Sequence, residues 1–224
     1  MTEMITNERF LDCVEKTMIK ESNCREYRCN QNKSYLIVKR IFDIISSSVA
    51  GVLLLLPLII LVIIIRIESP GPAIYSQERI GKDGKPFTMY KFRSMYLDSE
   101  KNGPQWASKN DQRCTRIGKI IRVFHIDELP QLWNVFIGDM SIVGPRPERA
   151  YFYEIFKERV PDFEARLKVL PGLTCIAQIN GCYDLLPEER FAYDVEYMEK
   201  QSVGTDLLCI LKTFPVIVSR KGAR

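Results

Sequence analysis

The longest uninterrupted apolar pattern in the 224-residue chain runs from Ile44 to Ile65, where no residue is charged. Its second part, Val52 to Ile65, is almost wholly aliphatic. As a helix this stretch reaches the ~30 Å hydrocarbon thickness of a bilayer. It begins too far into the chain, behind a mixed-charge segment, to be a signal peptide. Pro57 falls near its middle, where it removes a helix hydrogen bond and crowds the preceding turn, so a kink is expected there. Basic residues flank both ends: Lys33, Lys39 and Arg40 before the segment, Arg66, Arg79 and Lys82 after it. The positive-inside rule therefore gives no direction, and a helix that dips in, bends at Pro57 and leaves on the same face satisfies both flanks. Hydropathy alone allows an ordinary transmembrane helix equally well. Ser46, Ser47 and Ser48 are too distant along the helix to serve the backbone groups freed at Pro57.

The pattern divides the chain into a polar extension, residues 1–34, a membrane element, 35–68, and a following domain, 69–224. The extension reads as short helix or disorder, with no assignable function. Ser69-Pro70-Gly71-Pro72 is a turn that ends the membrane helix. Ile74–Ile80 and Phe87–Met95 read as strands, and the Asp83-Gly84 pair between them favours a tight hairpin. Alternation on the second strand puts Lys91 and Arg93 on one face and Tyr90 and Phe92 on the other. Arg113, Arg116, Lys119 and Arg122 recur every three residues among isoleucines, the pattern of a helix with a basic stripe. Further helices are expected around Tyr151–Arg166 and Pro187–Lys200, with a Pro171-Gly172 turn between them. The segment Leu207–Val218 is apolar but interrupted by Lys212 and Pro215. It suits either core burial or an interfacial helix, with Arg220, Lys221 and Arg224 at lipid headgroups. The expected fold is mixed α/β and mainly helical: a small domain with a β-hairpin, a Pro-kinked re-entrant membrane helix and interfacial helices.

Net charge of +4 is mild, unlike the strongly basic face of a nucleic-acid binder, and no nucleic-acid partner is expected. It suits an anionic membrane surface or a phosphorylated ligand. Seven cysteines, an odd number without a CxxC pair, suggest reduced thiols rather than a disulfide framework or zinc site. The single histidine, His125, cannot form a His-rich metal site by itself, although it lies close to Asp127.

The densest chemical signal is Asp127-Glu128-Leu129-Pro130, leading into a helix expected over Leu129–Phe136. Proline is well tolerated in a first helical turn, which places both carboxylates at the helix entry. There the helix dipole would keep Asp127 ionised and draw an anionic ligand. An ionised aspartate can attack phosphorus when a metal neutralises the phosphate oxygens. A plain helix cap is the competing reading of the same residues. Arg146, held between Pro145 and Pro147, adds a guanidinium suited to phosphate, and Arg122 and Lys91 add cations.

With these residues placed, the chain resembles the bacterial sugar transferase family, small monotopic phosphoglycosyl transferases. The resemblance starts at Lys39-Arg40-Ile41-Phe42-Asp43 and leaves about the first 35 residues outside. Its strongest blocks are Ser69–Pro72, Tyr90–Met95, Asp127–Val135 and Gly138–Glu148. It implies that Asp127 attacks the β-phosphate of a UDP-sugar, releases UMP, and passes the phosphosugar to undecaprenyl phosphate. It also implies a requirement for Mg²⁺ held near Asp127 and Glu128, with Lys91, Arg93, Arg122 and Arg146 binding substrate. The domain is then expected on the cytoplasmic face of the bacterial inner membrane, against lipid, and homodimer formation is left open. Larger relatives carry an additional multi-helix membrane domain, and none is expected within these 224 residues. Two departures stand out: Leu56 precedes Pro57 where the family often has serine, and Cys175-Ile176 replaces the usual Gly-Trp, with consequences expected for donor-sugar contacts or packing. The alternatives are a glycosyltransferase that releases UDP and a non-catalytic membrane scaffold.

Overall fold

A computed structural model describes residues 27–101, 103, 105, 111–181 and 185–219. Most of the expected N-terminal extension, and the headgroup contacts of Arg220, Lys221 and Arg224, lie outside the described residues. The apolar pattern forms one 36-residue helix, α1 (Lys33–Glu68), capped by Asn32, whose side chain accepts from the Ser34 amide. The helix continues through Pro57. It is long and apolar enough to cross a membrane, and side chains such as Val52 and Leu53 are about three-quarters exposed. Ser46 and Ser47 donate back to the carbonyls of Phe42 and Asp43, each about a turn earlier.

The base of α1 is wired to the rest of the chain through three side chains. Lys39 pairs with Asp206 at 2.9 Å and donates to the Val143 carbonyl. Arg40 donates to the carbonyls of Val135 and Phe136, both at 2.7 Å. Asp43 is buried and accepts from Ser141 Oγ and the Ile142 amide. Buried polar groups need such partners, and these three contacts set how the helix leaves the domain.

Strands β1 (Ile74–Ile80) and β2 (Pro86–Phe92) pair antiparallel, from Ile74 opposite Phe92 to Ile80 opposite Pro86. Asp83 and Gly84 both take positive φ, 57° and 74°, as the Asp-Gly signal implied. Helix α2 (Arg116–Val123) is capped by Thr115, and its Ile117 amide donates to Glu68 at the end of α1. Arg113, expected on this helix, instead precedes it and pairs with Asp111 at 2.5 Å. At Gly118 a Cβ would come within 1.9 Å of the Ser94 carbonyl oxygen, so only glycine permits this close approach of α2 to the end of β2.

A short 3-10 turn, Ile126–Glu128, leads into α3 (Gln131–Ile137). Asn134 is fully buried, donating to the Thr88 carbonyl and accepting from the Tyr90 amide, which fixes α3 to β2. Strands β3 (Ser141–Val143) and β4 (Gly172–Thr174) pair in parallel. The long helix expected to Arg166 is interrupted: α4 (Ala150–Arg159) stops before Pro161, and a 3-10 stretch, Phe163–Lys168, follows. Helices α5 (Ile176–Asn180), α6 (Pro187–Glu199) and α7 (Val203–Ser219) complete the chain's described elements. Tyr153, Phe156, Phe163, Phe191, Val195 and Met198 bury one another in a core between α4, the 3-10 stretch and α6. Each large apolar side chain so buried contributes about 1.5–3 kcal/mol. On α7 only Asp206 and Cys209 are buried, whereas Leu207, Leu211, Phe214 and Val218 form an exposed stripe at helical spacing. The described cysteines, Cys29, Cys114, Cys175 and Cys209, are free thiols.

Candidate active site

Asp127 and Glu128 lie in the 3-10 turn, both buried, on the wall of a cavity of about 350 Å³. Lys91, Arg93, Arg122, His125, Arg146 and Glu148 line it too. Eight arginine and lysine side chains face four carboxylates around this cavity. A site with that excess of cations suits a ligand carrying several negative charges.

The two neighbouring carboxylates have different surroundings. Glu128 accepts from Lys91 Nζ at 2.8 Å and from both guanidinium nitrogens of Arg146. Despite its burial, those cations hold its carboxyl well below the usual range. Asp127 receives no hydrogen bond from a described residue. Burial pushes its carboxyl up to about 6, against the pull of Lys91, with the Glu128 charge adding to the rise. The expectation of a helix dipole holding Asp127 at low pKa is therefore corrected. Desolvation and a like charge one residue away outweigh a helix end that begins four residues further on.

Arg146 is preorganised from behind. Its carbonyl accepts from Arg166 Nη2 at 2.8 Å, and Arg166 forms a buried pair with Asp194 at 2.8 Å. The flanking prolines contribute backbone oxygens as well: Pro145 accepts from the Gly172 amide and Pro147 from Arg79 Nη1. Thus β4 and β1 both position the Pro-Arg-Pro segment. Arg122 reaches the cavity from the last turn of α2 and acts electrostatically on Asp127.

Arg93 is placed differently from Lys91, Arg122 and Arg146. It borders the cavity, but its guanidinium donates to the carbonyls of Ser69 and Pro70 and clamps the turn after α1. The Cys175-Ile176 departure lies outside the cavity lining: Cys175 caps α5 by accepting from the Gln178 amide, and Ile176 packs beside Val143, Tyr197 and Cys209. It affects packing, not the cavity wall. Pro57 lies in α1, and it too is absent from the lining.

Sequence reasoning passed over Tyr75, Gln77, Glu100 and Arg149, and noted for His125 only its closeness to Asp127; all five are on the cavity wall. His125 takes a left-handed backbone conformation, φ 55°, and burial lowers its pKa. The alternation used for β2 would have found Tyr75 and Gln77. Tyr75 is paired directly with Lys91, so Tyr75 and Gln77 share the face that carries Lys91.

Among the described residues no group of three or more His, Cys, Asp or Glu could hold a metal. The donor set that is present, an open Asp127 beside Glu128, fits a cation that takes one or two carboxylates and completes its shell with phosphate oxygens and water. That is the habit of Mg²⁺.

The fold and this carboxylate–cation cavity agree with the sequence comparisons. The profile of the bacterial sugar transferase family matches residues 34–220, and the chain belongs to that family. A Bacillus subtilis (strain 168) protein, provisionally named an undecaprenyl-phosphate N-acetylgalactosaminyl 1-phosphate transferase, is 55% identical over 134 residues, 59% of this chain and 74% of that protein. A UDP-glucose:undecaprenyl-phosphate glucose-1-phosphate transferase of Caulobacter vibrioides is 37% identical over 83% of this chain and 71% of its own. A UDP-N-acetylgalactosamine-undecaprenyl-phosphate N-acetylgalactosaminephosphotransferase of Aeromonas hydrophila is 39% identical over 85% of this chain, which spans 46% of that relative.

Proposed function

We infer that this chain moves a sugar 1-phosphate from a UDP-sugar to undecaprenyl phosphate, with Asp127 as the nucleophile. The observation that carries the reading is the asymmetry of the dyad: Glu128 is held by Lys91 and Arg146, while Asp127 keeps its carboxylate open to a cationic cavity. An Asp127 oxygen attacks the donor's β-phosphorus, the bridging bond to the α-phosphate oxygen breaks, and UMP leaves. A phosphate oxygen of the acceptor then attacks the same phosphorus and returns the Asp127 carboxylate. Splitting one displacement into two is the usual use of a carboxylate nucleophile. Lys91, Arg122 and Arg146 offset the charge of the reacting phosphates. Mg²⁺, held by Asp127 and Glu128, would supply further neutralisation of phosphate oxygens.

The nucleotide product tests this reading. Purified protein given undecaprenyl phosphate and UDP-N-acetylgalactosamine or UDP-glucose should release UMP in proportion to lipid-linked product. Release of UDP would assign transfer of the sugar alone.

We also propose that α1 enters and leaves the cytoplasmic leaflet of the inner membrane, with the exposed stripe of α7 and the exposed Trp133, Phe136 and Ile137 of α3 resting on lipid. A cysteine introduced at position 30, in a protein lacking its own cysteines, should resist membrane-impermeant reagents in intact cells. Efficient labelling there, with the catalytic domain inside, would establish a full span.

A further inference from the structure

The same cavity carries a second set of side chains that phosphate chemistry does not call for. Arg149, just ahead of α4, donates from both guanidinium ends to the two oxygens of Glu100, at 2.7 and 2.9 Å. Its guanidinium lies 5.9 Å from the ring centre of Phe152. The Tyr75 hydroxyl accepts from Gln77 Nε2 at 2.9 Å and donates to Glu100 Oε2 at 3.5 Å. All five residues line the cavity.

A carboxylate facing a cavity built for phosphates would repel the ligand unless its charge were balanced, and Arg149 supplies that balance. The fork occupies one lone-pair direction on each Glu100 oxygen and the Tyr75 hydroxyl donates to Oε2, so Glu100 Oε1 can accept again, as can the Tyr75 oxygen beside its bond from Gln77. What remains is two neighbouring acceptors, Glu100 Oε1 on a neutralised carboxylate and the Tyr75 oxygen, with the rings of Tyr75 and Phe152 beside them. Two adjacent hydroxyl donors on a ring with an apolar C–H face match that arrangement in spacing and in polarity.

Resting on the transferase reading, we propose that Glu100, fixed by Arg149 and flanked by Tyr75 and Phe152, binds a vicinal diol of the nucleotide-sugar donor and helps set donor selectivity. A UDP-sugar carries such a diol in two places, the ribose and the hexose. The Cys175-Ile176 segment lies outside the cavity lining, whereas Glu100, Tyr75 and Phe152 are on it.

Steady-state kinetics of the full chain, comparing wild type with Glu100→Gln, tests the assignment. The donors are whichever of UDP-N-acetylgalactosamine and UDP-glucose wild type turns over, its 2′-deoxyuridine analogue, and its 3-deoxy- and 4-deoxyhexose analogues. Losing an acceptor for a buried hydroxyl should raise the donor KM about tenfold. The acceptor KM and kcat should change less than about twofold. With the analogue that lacks the recognised hydroxyl the penalty should vanish: the 2′-deoxy donor if the ribose is bound, a deoxyhexose donor if the hexose is bound. An equal penalty with every donor, or none with any, overturns the site. Tyr75→Phe, which removes one hydroxyl, should give a smaller rise in donor KM with the same analogue dependence; it decides the matter if Glu100→Gln melts early. Absence of wild-type turnover with either UDP-sugar would instead count against the transferase reading itself.

Discussion

Asp127→Asn should leave no measurable turnover and yet melt later than wild type. Catalysis fails because a neutral amide is a poor nucleophile toward phosphorus; losing a group that forms the covalent bond costs on the order of 10⁴-fold or more. Stability rises for the reason the pKa of Asp127 does. Its carboxyl titrates at about 6 in the fold against 3.8 for the free group, so the folded chain holds this proton more tightly than the unfolded one. Stability attributable to this group is therefore greatest below about pH 4 and declines as pH rises to about 6. Above that, the native state carries a buried charge that asparagine lacks. The difference is about 1–3 kcal/mol at neutral pH. Thermal melts of both proteins at pH 5 and pH 7.5 check this: the advantage of Asp127→Asn should be larger at pH 7.5. An Asp127→Asn protein that melts earlier than wild type at pH 7.5 would contradict the electrostatic description of the dyad.

Arg146→Lys should lower kcat about 10²-fold although it keeps the positive charge. In the wild-type chain both ends of the guanidinium meet Glu128, while the backbone is held by Arg166 and the flanking proline carbonyls. An ammonium is a point charge and cannot span both Glu128 oxygens, so Glu128 loses one partner and the cavity loses a planar donor for phosphate. Kinetics with saturating donor and acceptor check this, since the loss should persist at saturation. Turnover within a factor of two of wild type would remove Arg146 from the reacting centre.

The parts of this arrangement carried by local signals were legible in the sequence. Pro130 marked the helix entry beside Asp127 and Glu128, Asp83-Gly84 marked the hairpin, and alternation put Lys91 on a cationic face. Residues joined only by tertiary contacts were not. The parallel pairing of Ser141–Val143 with Gly172–Thr174 joins three-residue segments too short to show any period. Arg166 looked like one more basic residue of a continuing helix, yet the break before Pro161 turns it inward to meet Asp194 and the Arg146 carbonyl. Arg93 shares the alternation of Lys91, but the nearby Ser69-Pro70 carbonyls take its guanidinium. The ionisation of Asp127 escaped for a related reason. A helix start is visible in sequence, whereas burial of both carboxylates in one cavity wall is a property of the fold.

The central claim is that Asp127 carries the phosphosugar between donor and acceptor. Intact-protein mass spectrometry after rapid quench, with donor and no undecaprenyl phosphate, measures it directly. The account predicts one added phosphosugar per active protein, matched by an equal amount of UMP, mapped to the peptide containing Asp127 and absent from Asp127→Asn. UMP release strictly dependent on both substrates, with no adduct at any quench time, would contradict it and assign direct displacement.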